Sequence, residues 1–221
     1  MTTTNPTIAA QVEVLHQGAA AQLPAEALAA FGAEQEGLRA AGTPAGVLAP
    51  GTALPEADLL DAHGQPTTLA AVRAGGPAVV VFYRGGWCPY CNIALRTYEA
   101  DLLPTLRDRG IELIAVSPQK PDGSLSTQEA NELSFSVVSD PGNQLARALG
   151  ILTRPTPDAQ AAQRGLGLDL PQVNADGTPS IPMPTTLVVD AEGIVRWIDV
   201  HADYTTRSEV ADIEAALADL A

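Results

Sequence analysis

The pattern of apolar and polar positions changes character at Pro77. Ahead of it, Ile8, Val12 and Leu15 recur at i, i+4 and i+7, and Leu28, Phe31 and Leu38 continue a weaker apolar face. Both spacings predict helices, with Pro24 in a first helical turn and Gly42 and Pro44 as punctuation. Residues 1–48 are Ala-rich and have no strand-like run. They are expected to form a helical extension packed on the rest of the chain or on a second copy, because thin helices of this kind rarely stand alone. Residues 49–75 are turn-rich and predict a short hairpin or an entering strand.

From Pro77 onward the elements alternate. Ala78–Tyr83 is a continuous β-branched and aromatic run, as a strand buried on both faces requires. Cys88 to about Arg107 reads as a helix with Pro104 near its end or at a kink. Ile111–Ser117 and Phe135–Ser139 read as strands, and Asn143–Leu149 as a helix. Ser126 and Glu129 have the spacing of a capping box heading a short helix. Leu152–Met183 is an irregular connection, and one of this length is usually functional or locally structured. Thr185–Val189 and Ile194–Val200 form a hairpin across Asp190-Ala191-Glu192-Gly193. Ser208–Leu220 closes the chain as a helix with Val210, Ile213, Ala216 and Leu217 on its apolar face. The order predicts an α/β domain over residues 49–221, with parallel strands first and an antiparallel hairpin last.

Composition narrows the function. Hydrophobic residues make up 46% of the chain, which excludes wholesale disorder. Twelve Lys plus Arg against 26 Asp plus Glu give a net charge of −14, so a basic nucleic-acid footprint is excluded. The longest apolar stretch, Pro77–Tyr83, falls far short of the roughly 18 residues of a membrane span. The first basic residue is Arg39, so no charged, apolar leader is visible and a cytoplasmic location is expected.

Cys88 and Cys91 are the only two cysteines. They share the segment Trp87-Cys88-Pro89-Tyr90-Cys91, just past a predicted strand and at the start of a predicted helix. The first turn of a helix has unpaired N–H groups and the positive end of the dipole, and both favour a thiolate. Residues i and i+3 are neighbours on a helix, so Cys91 can attack a mixed disulfide or sulfenic acid formed on Cys88. Pro89 suits an early helical position. The same pair is compatible with two buried apolar cysteines, or with half a zinc site completed by His16, His63, His201 or a second copy. Met183-Pro184-Thr185-Thr186 precedes the next apolar strand. Pro184 there is either a strand-leading residue or a cis proline facing the cysteines.

These residues resemble the thioredoxin superfamily: a buried strand, W-C-P-Y-C opening a helix, then M-P-T-T-L-V-V-D. The wider chain is similar to peroxiredoxin-like proteins of the alkyl hydroperoxide reductase/thiol-specific antioxidant family. The likeness runs through Phe82–Asn92, Ser117-Pro118-Gln119, Asn131–Phe135, Ser139-Asp140 and Ala202–Arg207. It implies a thioredoxin-like sandwich, a mixed sheet with helices on both faces, behind the N-terminal extension. It also implies a cis Pro184 packed against the redox pair.

The likeness further implies a thiol-dependent peroxidase that reduces hydrogen peroxide and organic hydroperoxides. Cys88 and Cys91 would be catalytic, with Trp87, Tyr90, Arg84, Pro184 and Thr185 around the substrate. The reductant would be thioredoxin-like or a low-molecular-weight thiol, and no metal or organic cofactor is called for. A homodimer through the N-terminal helices is a further expectation, with neither nucleic acid nor membrane as partner.

The chain departs from the family's P-x-x-x-T-x-x-C pattern. Arg84 stands for its Pro, Cys88 for its Thr, and Cys91 for the attacking cysteine, while Pro184 stands where an Arg precedes the Thr-rich strand. The alternatives are a protein thiol–disulfide oxidoreductase with an exposed Cys88 as nucleophile, and a redox-sensing module. His201, Asp203, Tyr204 and Arg207 are expected either to line the site or to form a solvated turn.

Overall fold

The computed structural model describes residues 5–218 and 220. Two helices open the chain, α1 (Ile8–Gln22) and α2 (Ala25–Ala41). The short pair β1 (Leu59–Leu60) and β2 (Pro66–Thr67) follows, then α3 (Leu69–Val72) and the central strand β3 (Ala78–Phe82). Next come α4 (Pro89–Thr97), a π-helical stretch Tyr98–Leu102, and α5 (Leu103–Asp108). β4 (Glu112–Ser117), α6 (Pro121–Ala130), β5 (Ser136–Ser139) and α7 (Gln144–Ala148) continue the alternation. The remainder is β6 (Leu152–Thr153), α8 (Pro157–Gly165), α9 (Leu170–Val173), β7 (Ile181–Pro182), β8 (Thr185–Val189), β9 (Val195–Val200) and α10 (Val210–Leu217).

Seven strands form one mixed sheet in the order β2-β1-β5-β4-β3-β8-β9. β3 runs parallel to β4, with Val80 opposite Ile114, and antiparallel to β8, with Val80 opposite Leu187. A strand placed in the middle loses both faces to water, which is why Ala78–Phe82 can be apolar throughout. Each fully buried Val there contributes about 1.5–3 kcal/mol. Alternate residues feed two cores. Val79, Val81, Ala115 and Val137 meet α4, α10 and the Ile8/Val12 face of α1. Val80, Phe82, Ile114 and Val116 meet α3 and α7 through Leu69, Leu145 and Leu149. This is the expected thioredoxin-like α/β sandwich, with helices ahead of it. No helix among the described residues is long and apolar enough to cross a membrane.

Polar contacts fasten the N-terminal helices to the rest of the chain. The amides of Ile8 and Ala9 donate to the Glu209 carboxylate at 2.9 and 2.8 Å, and Glu209 also caps α10. On α2, Glu34 accepts from the Thr156 amide at 2.8 Å, at the cap of α8. Gln35 donates to the Tyr204 hydroxyl at 3.2 Å, and Arg39 pairs with Asp203 at 2.9 Å.

Three elements differ from expectation. The helix over 88–107 is broken into α4 and α5 by the π-helical stretch, with Pro104 in the first turn of α5, where its missing N–H costs nothing. α6 begins at Pro121, so Ser126 is an exposed mid-helix residue and not a cap. The connection 152–183 holds α8, whose start is fixed by Thr156 accepting from the Ala159 amide and by Pro157 in the first turn. It also holds α9 and the antiparallel pair β6–β7.

Candidate active site: a buried dithiol and two arginines

β3 runs out at Phe82, and the turn Arg84-Gly85-Gly86-Trp87 delivers the chain into α4. Gly85 sits at φ +148°, and a Cβ there would lie 2.3 Å from the Trp87 indole nitrogen. Gly86 abuts Thr127 so closely that its Cβ would lie 2.3 Å from that hydroxyl. Only glycines let this turn pass beneath Trp87 and against α6. The Gly86 peptide is clamped on both sides: its amide donates to Gln119 Oε1, and its carbonyl accepts from Asn92 Nδ2 at 2.8 Å.

Cys88 is the N-cap of α4, Pro89 follows it in the first turn, and Cys91 is the third helical residue. Both thiols are free and buried, with exposures of 0% and 1%. The expectation of an exposed Cys88 is therefore corrected. α1 and α2 lie over the motif, and Tyr90 packs edge-on against His16, whose Nε2 is 3.1 Å from the Tyr90 hydroxyl.

Donors converge on Cys91. The Arg84 amide approaches its sulfur at 3.4 Å and the Arg207 guanidinium at 3.0 Å, while the same Arg207 nitrogen is 3.9 Å from Cys88. Burial works against ionising Cys91. The hydrogen bond from Cys88, the Arg207 charge and the Arg84 amide outweigh it and hold Cys91 well below the usual thiol range. Burial, followed by donation of its own S–H to Cys91, pushes Cys88 well above that range. The donors thus favour a thiolate on Cys91 over one on Cys88.

Of the four residues His201, Asp203, Tyr204 and Arg207, expected either to line the site or to form a solvated turn, Arg207 reaches the sulfurs. It is buried, and its other nitrogen donates to the Tyr204 carbonyl at 2.6 Å, which locks the guanidinium in place. Burial opposes its charge, but the Cys91 and Cys88 sulfurs and the Tyr98 hydroxyl together more than offset this. His201 belongs to the support of that turn, with Nε2 2.9 Å from Asp199 and Nδ1 2.7 Å from the Thr206 hydroxyl. The His201 contact, ahead of partial burial, holds the Asp199 carboxyl below its ordinary range.

Arg84 is buried as well. It is 5% exposed, its guanidinium lies 3.8 Å from the Tyr204 ring centroid and 5.0 Å from that of Trp87, and no carboxylate pairs with it among the described residues. Pro184 and Arg84 border the same small void beside Tyr204. The peptide bond before Pro184 is trans, which corrects the cis expectation. Pro184 instead leads β8 in extended chain, its carbonyl accepting from the His201 amide at 2.9 Å. The Thr185 hydroxyl is spent on the Met183 carbonyl at 3.0 Å.

A cavity of about 710 Å³ opens beside the motif. Trp87, Cys88, Tyr90 and Arg84 form its floor, while α1, α2 and the turn after α8 form its other walls. Cys88 borders it and Cys91 does not. Among the described residues, no group of three or more His, Cys, Asp or Glu side chains gathers as a metal site would require.

Comparison with known proteins adds a family. The model of the AhpC/TSA family matches residues 50–198. A protein named as a peroxiredoxin in Mycobacterium tuberculosis is 31% identical over 103 residues, 47% of this chain and 64% of that relative. The chloroplastic peroxiredoxin Q of Oryza sativa subsp. japonica is 25% identical over 153 residues, 69% of this chain and 59% of that relative. The matches therefore span 59% to 64% of these relatives' own lengths. The solved structure of reduced Prx3 from Vibrio vulnificus with H2O2 aligns at TM-score 0.62 and 21% identity, covering 77% of this chain and 99% of that one. Peroxidoxin BcpB from Mycobacterium tuberculosis aligns at TM-score 0.57 and 19% identity, covering 77% and 95%. These two likenesses bear on the fold.

Proposed function

The chain belongs to the AhpC/TSA family, and from that premise we propose that it is a thiol-dependent peroxidase acting on hydrogen peroxide and organic hydroperoxides. Cys91 attacks and Cys88 resolves. The Cys91 thiolate attacks the terminal oxygen of ROOH and the O–O bond breaks. The departing RO⁻ takes a proton and leaves as ROH, and Cys91 becomes a sulfenic acid. Arg207 and the Arg84 amide hold the thiolate before attack, so a large reactive fraction is present at neutral pH. Cys88 then loses its proton and attacks the Cys91 sulfur. Hydroxide leaves with that proton as water, and a Cys88–Cys91 disulfide remains. A thiol reductant restores the pair.

The observation that carries this reading is the convergence of the Arg207 guanidinium and the Arg84 amide on one sulfur. The alternative, a reductase of protein disulfides working through Cys88, needs that sulfur at the surface, and its burial counts against it. The test is to make Cys88→Ser and Cys91→Ser separately, add one equivalent of H2O2, and locate sulfenic acid by mass. It is expected on Cys91 in the Cys88→Ser protein and absent from the Cys91→Ser protein. Sulfenic acid confined to Cys88 would reverse the assignment, and none in either protein would remove the peroxidase reading.

A further inference from the structure

The cavity of about 710 Å³ is of the size that encloses a small organic molecule, many times what H2O2 needs. Its walls are largely hydrocarbon: Leu23, Leu28 and Phe31 from the N-terminal helices, Leu166 and Leu168 from the turn after α8, and Trp87 from the floor. The N-terminal part of this wall lies ahead of the family-matched residues 50–198. Two polar atoms of the lining residues, Gln163 Oε1 and Trp87 Nε1, are buried without a hydrogen-bond partner. The cavity meets Cys88 and not Cys91. The thiolate that the structure favours is on Cys91, so the cavity serves whatever chemistry occurs at Cys88.

In the cycle proposed above, on which this inference rests, an outside reagent must engage Cys88 when the disulfide is reduced. Cleavage is easiest when the sulfur of lower pKa leaves, and that sulfur is Cys91, received by Arg207. The incoming thiol must therefore strike Cys88. A protein dithiol on a convex surface would have to enter the cavity between α1, α2 and the turn after α8 to approach Cys88.

We propose that the cavity receives the reductant, and that the reductant is a small dithiol on a hydrocarbon chain, not a protein dithiol. Its first thiolate attacks Cys88, the Cys88–Cys91 bond breaks, and the electron pair stays on Cys91 as thiolate. Its second thiolate attacks its own first sulfur in the mixed disulfide. Cys88 leaves, takes up a proton, and the reductant departs as a cyclic disulfide. The two protons of the dithiol are accounted for by the Cys88 thiol and one proton released to solvent. The hydrocarbon chain lies along the leucines and Phe31, and an amide N–H at its far end gives Gln163 Oε1 the donor it lacks.

The test times the two half-reactions separately. The disulfide is first made with diamide, so its formation does not depend on peroxidase activity. Reduction is then followed by tryptophan fluorescence with dihydrolipoamide or with thioredoxin. Dihydrolipoamide is expected to have the larger second-order rate constant by roughly tenfold or more. Phe31→Trp is expected to slow that step by a similar factor, the cost of overfilling a packed site. Leu28→Trp is the second variant should Phe31→Trp not fold. Thioredoxin equalling or outpacing dihydrolipoamide overturns the inference and leaves the peroxidase reading intact. So does a Phe31→Trp protein in which oxidation by cumene hydroperoxide slows and reduction does not, because the cavity then belongs to the hydroperoxide. Failure of diamide to join the sulfurs would remove the dithiol cycle and this inference together.

Discussion

The two sides of the dithiol are built from different material. On the Cys91 side lie a guanidinium, a main-chain amide and the turn 201–208 with its web of hydrogen bonds. On the Cys88 side lie leucines, a phenylalanine and an indole around open space. Three positions of sequence separate the sulfurs, and both are buried, so neither spacing nor exposure distinguishes them. What distinguishes them is which one receives donors. The same motif with the donors moved to the first sulfur would reverse the roles of attacker and resolver.

The strongest way to break this contrast is to remove each sulfur in turn. Cys91→Ser is expected to slow the first peroxide turnover by roughly 10³-fold or more, since a serine hydroxyl is no substitute for a thiolate. Cys88→Ser should complete one turnover and stop. Single-turnover stopped-flow measurement separates the two results, and equal losses would abolish the distinction.

Arg207→Ala attacks the donor-rich side directly. The Cys91 pKa lies well below the thiol range, so the wild-type rate should hold steady through neutral pH and fall only as pH drops through that low value. Removing an adjacent cation raises a thiol pKa by about 1–3 units, so the fall should move to higher pH. About one pH unit below the shifted midpoint the rate should be down by about tenfold from its plateau. Titration of thiolate ultraviolet absorbance checks it, and an unmoved profile would exclude Arg207 from the role.

Gly85→Ala should cost about 1–3 kcal/mol of stability, because φ +148° strains any side chain and the new methyl meets Trp87. Urea unfolding measures it. The smallest effect belongs to Arg39→Ala, which removes an ion pair in which the arginine side chain is 54% exposed. It should change stability by no more than about 0.5 kcal/mol and leave the Cys91 titration where it was. A shifted titration would show that α2 acts on the Cys91 side as well as walling the cavity.

The sheet and the dithiol were legible because both are local statements. A run such as Ala78–Phe82 declares a doubly buried strand by itself, and Trp-Cys-Pro-Tyr-Cys after it declares a helix start. Arg207 was not legible in the same way. It reaches Cys91 across 116 residues, and nothing within the turn 201–208 says that the turn folds onto α4. The setting of Arg84 is likewise not local, since the rings around it come from Trp87 three residues on and from Tyr204 far away. Ser126 misled because Ser-x-x-Glu also occurs on an ordinary helix face. α8 was passed over within a Pro-rich stretch, although Thr156-Pro157 is a sound start for a helix.

Glu209 binds the start of α1 across sequence separations of 201 and 200 residues. During synthesis α1 is made about 200 residues ahead of the carboxylate that binds its start. At roughly 5–20 residues per second, the interval is about 10–40 s. For that time the start of α1 lacks its Glu209 partner, and for about 6–23 s of it Cys91 has no Arg207. The nascent chain therefore carries both thiols before it carries the guanidinium that meets Cys91.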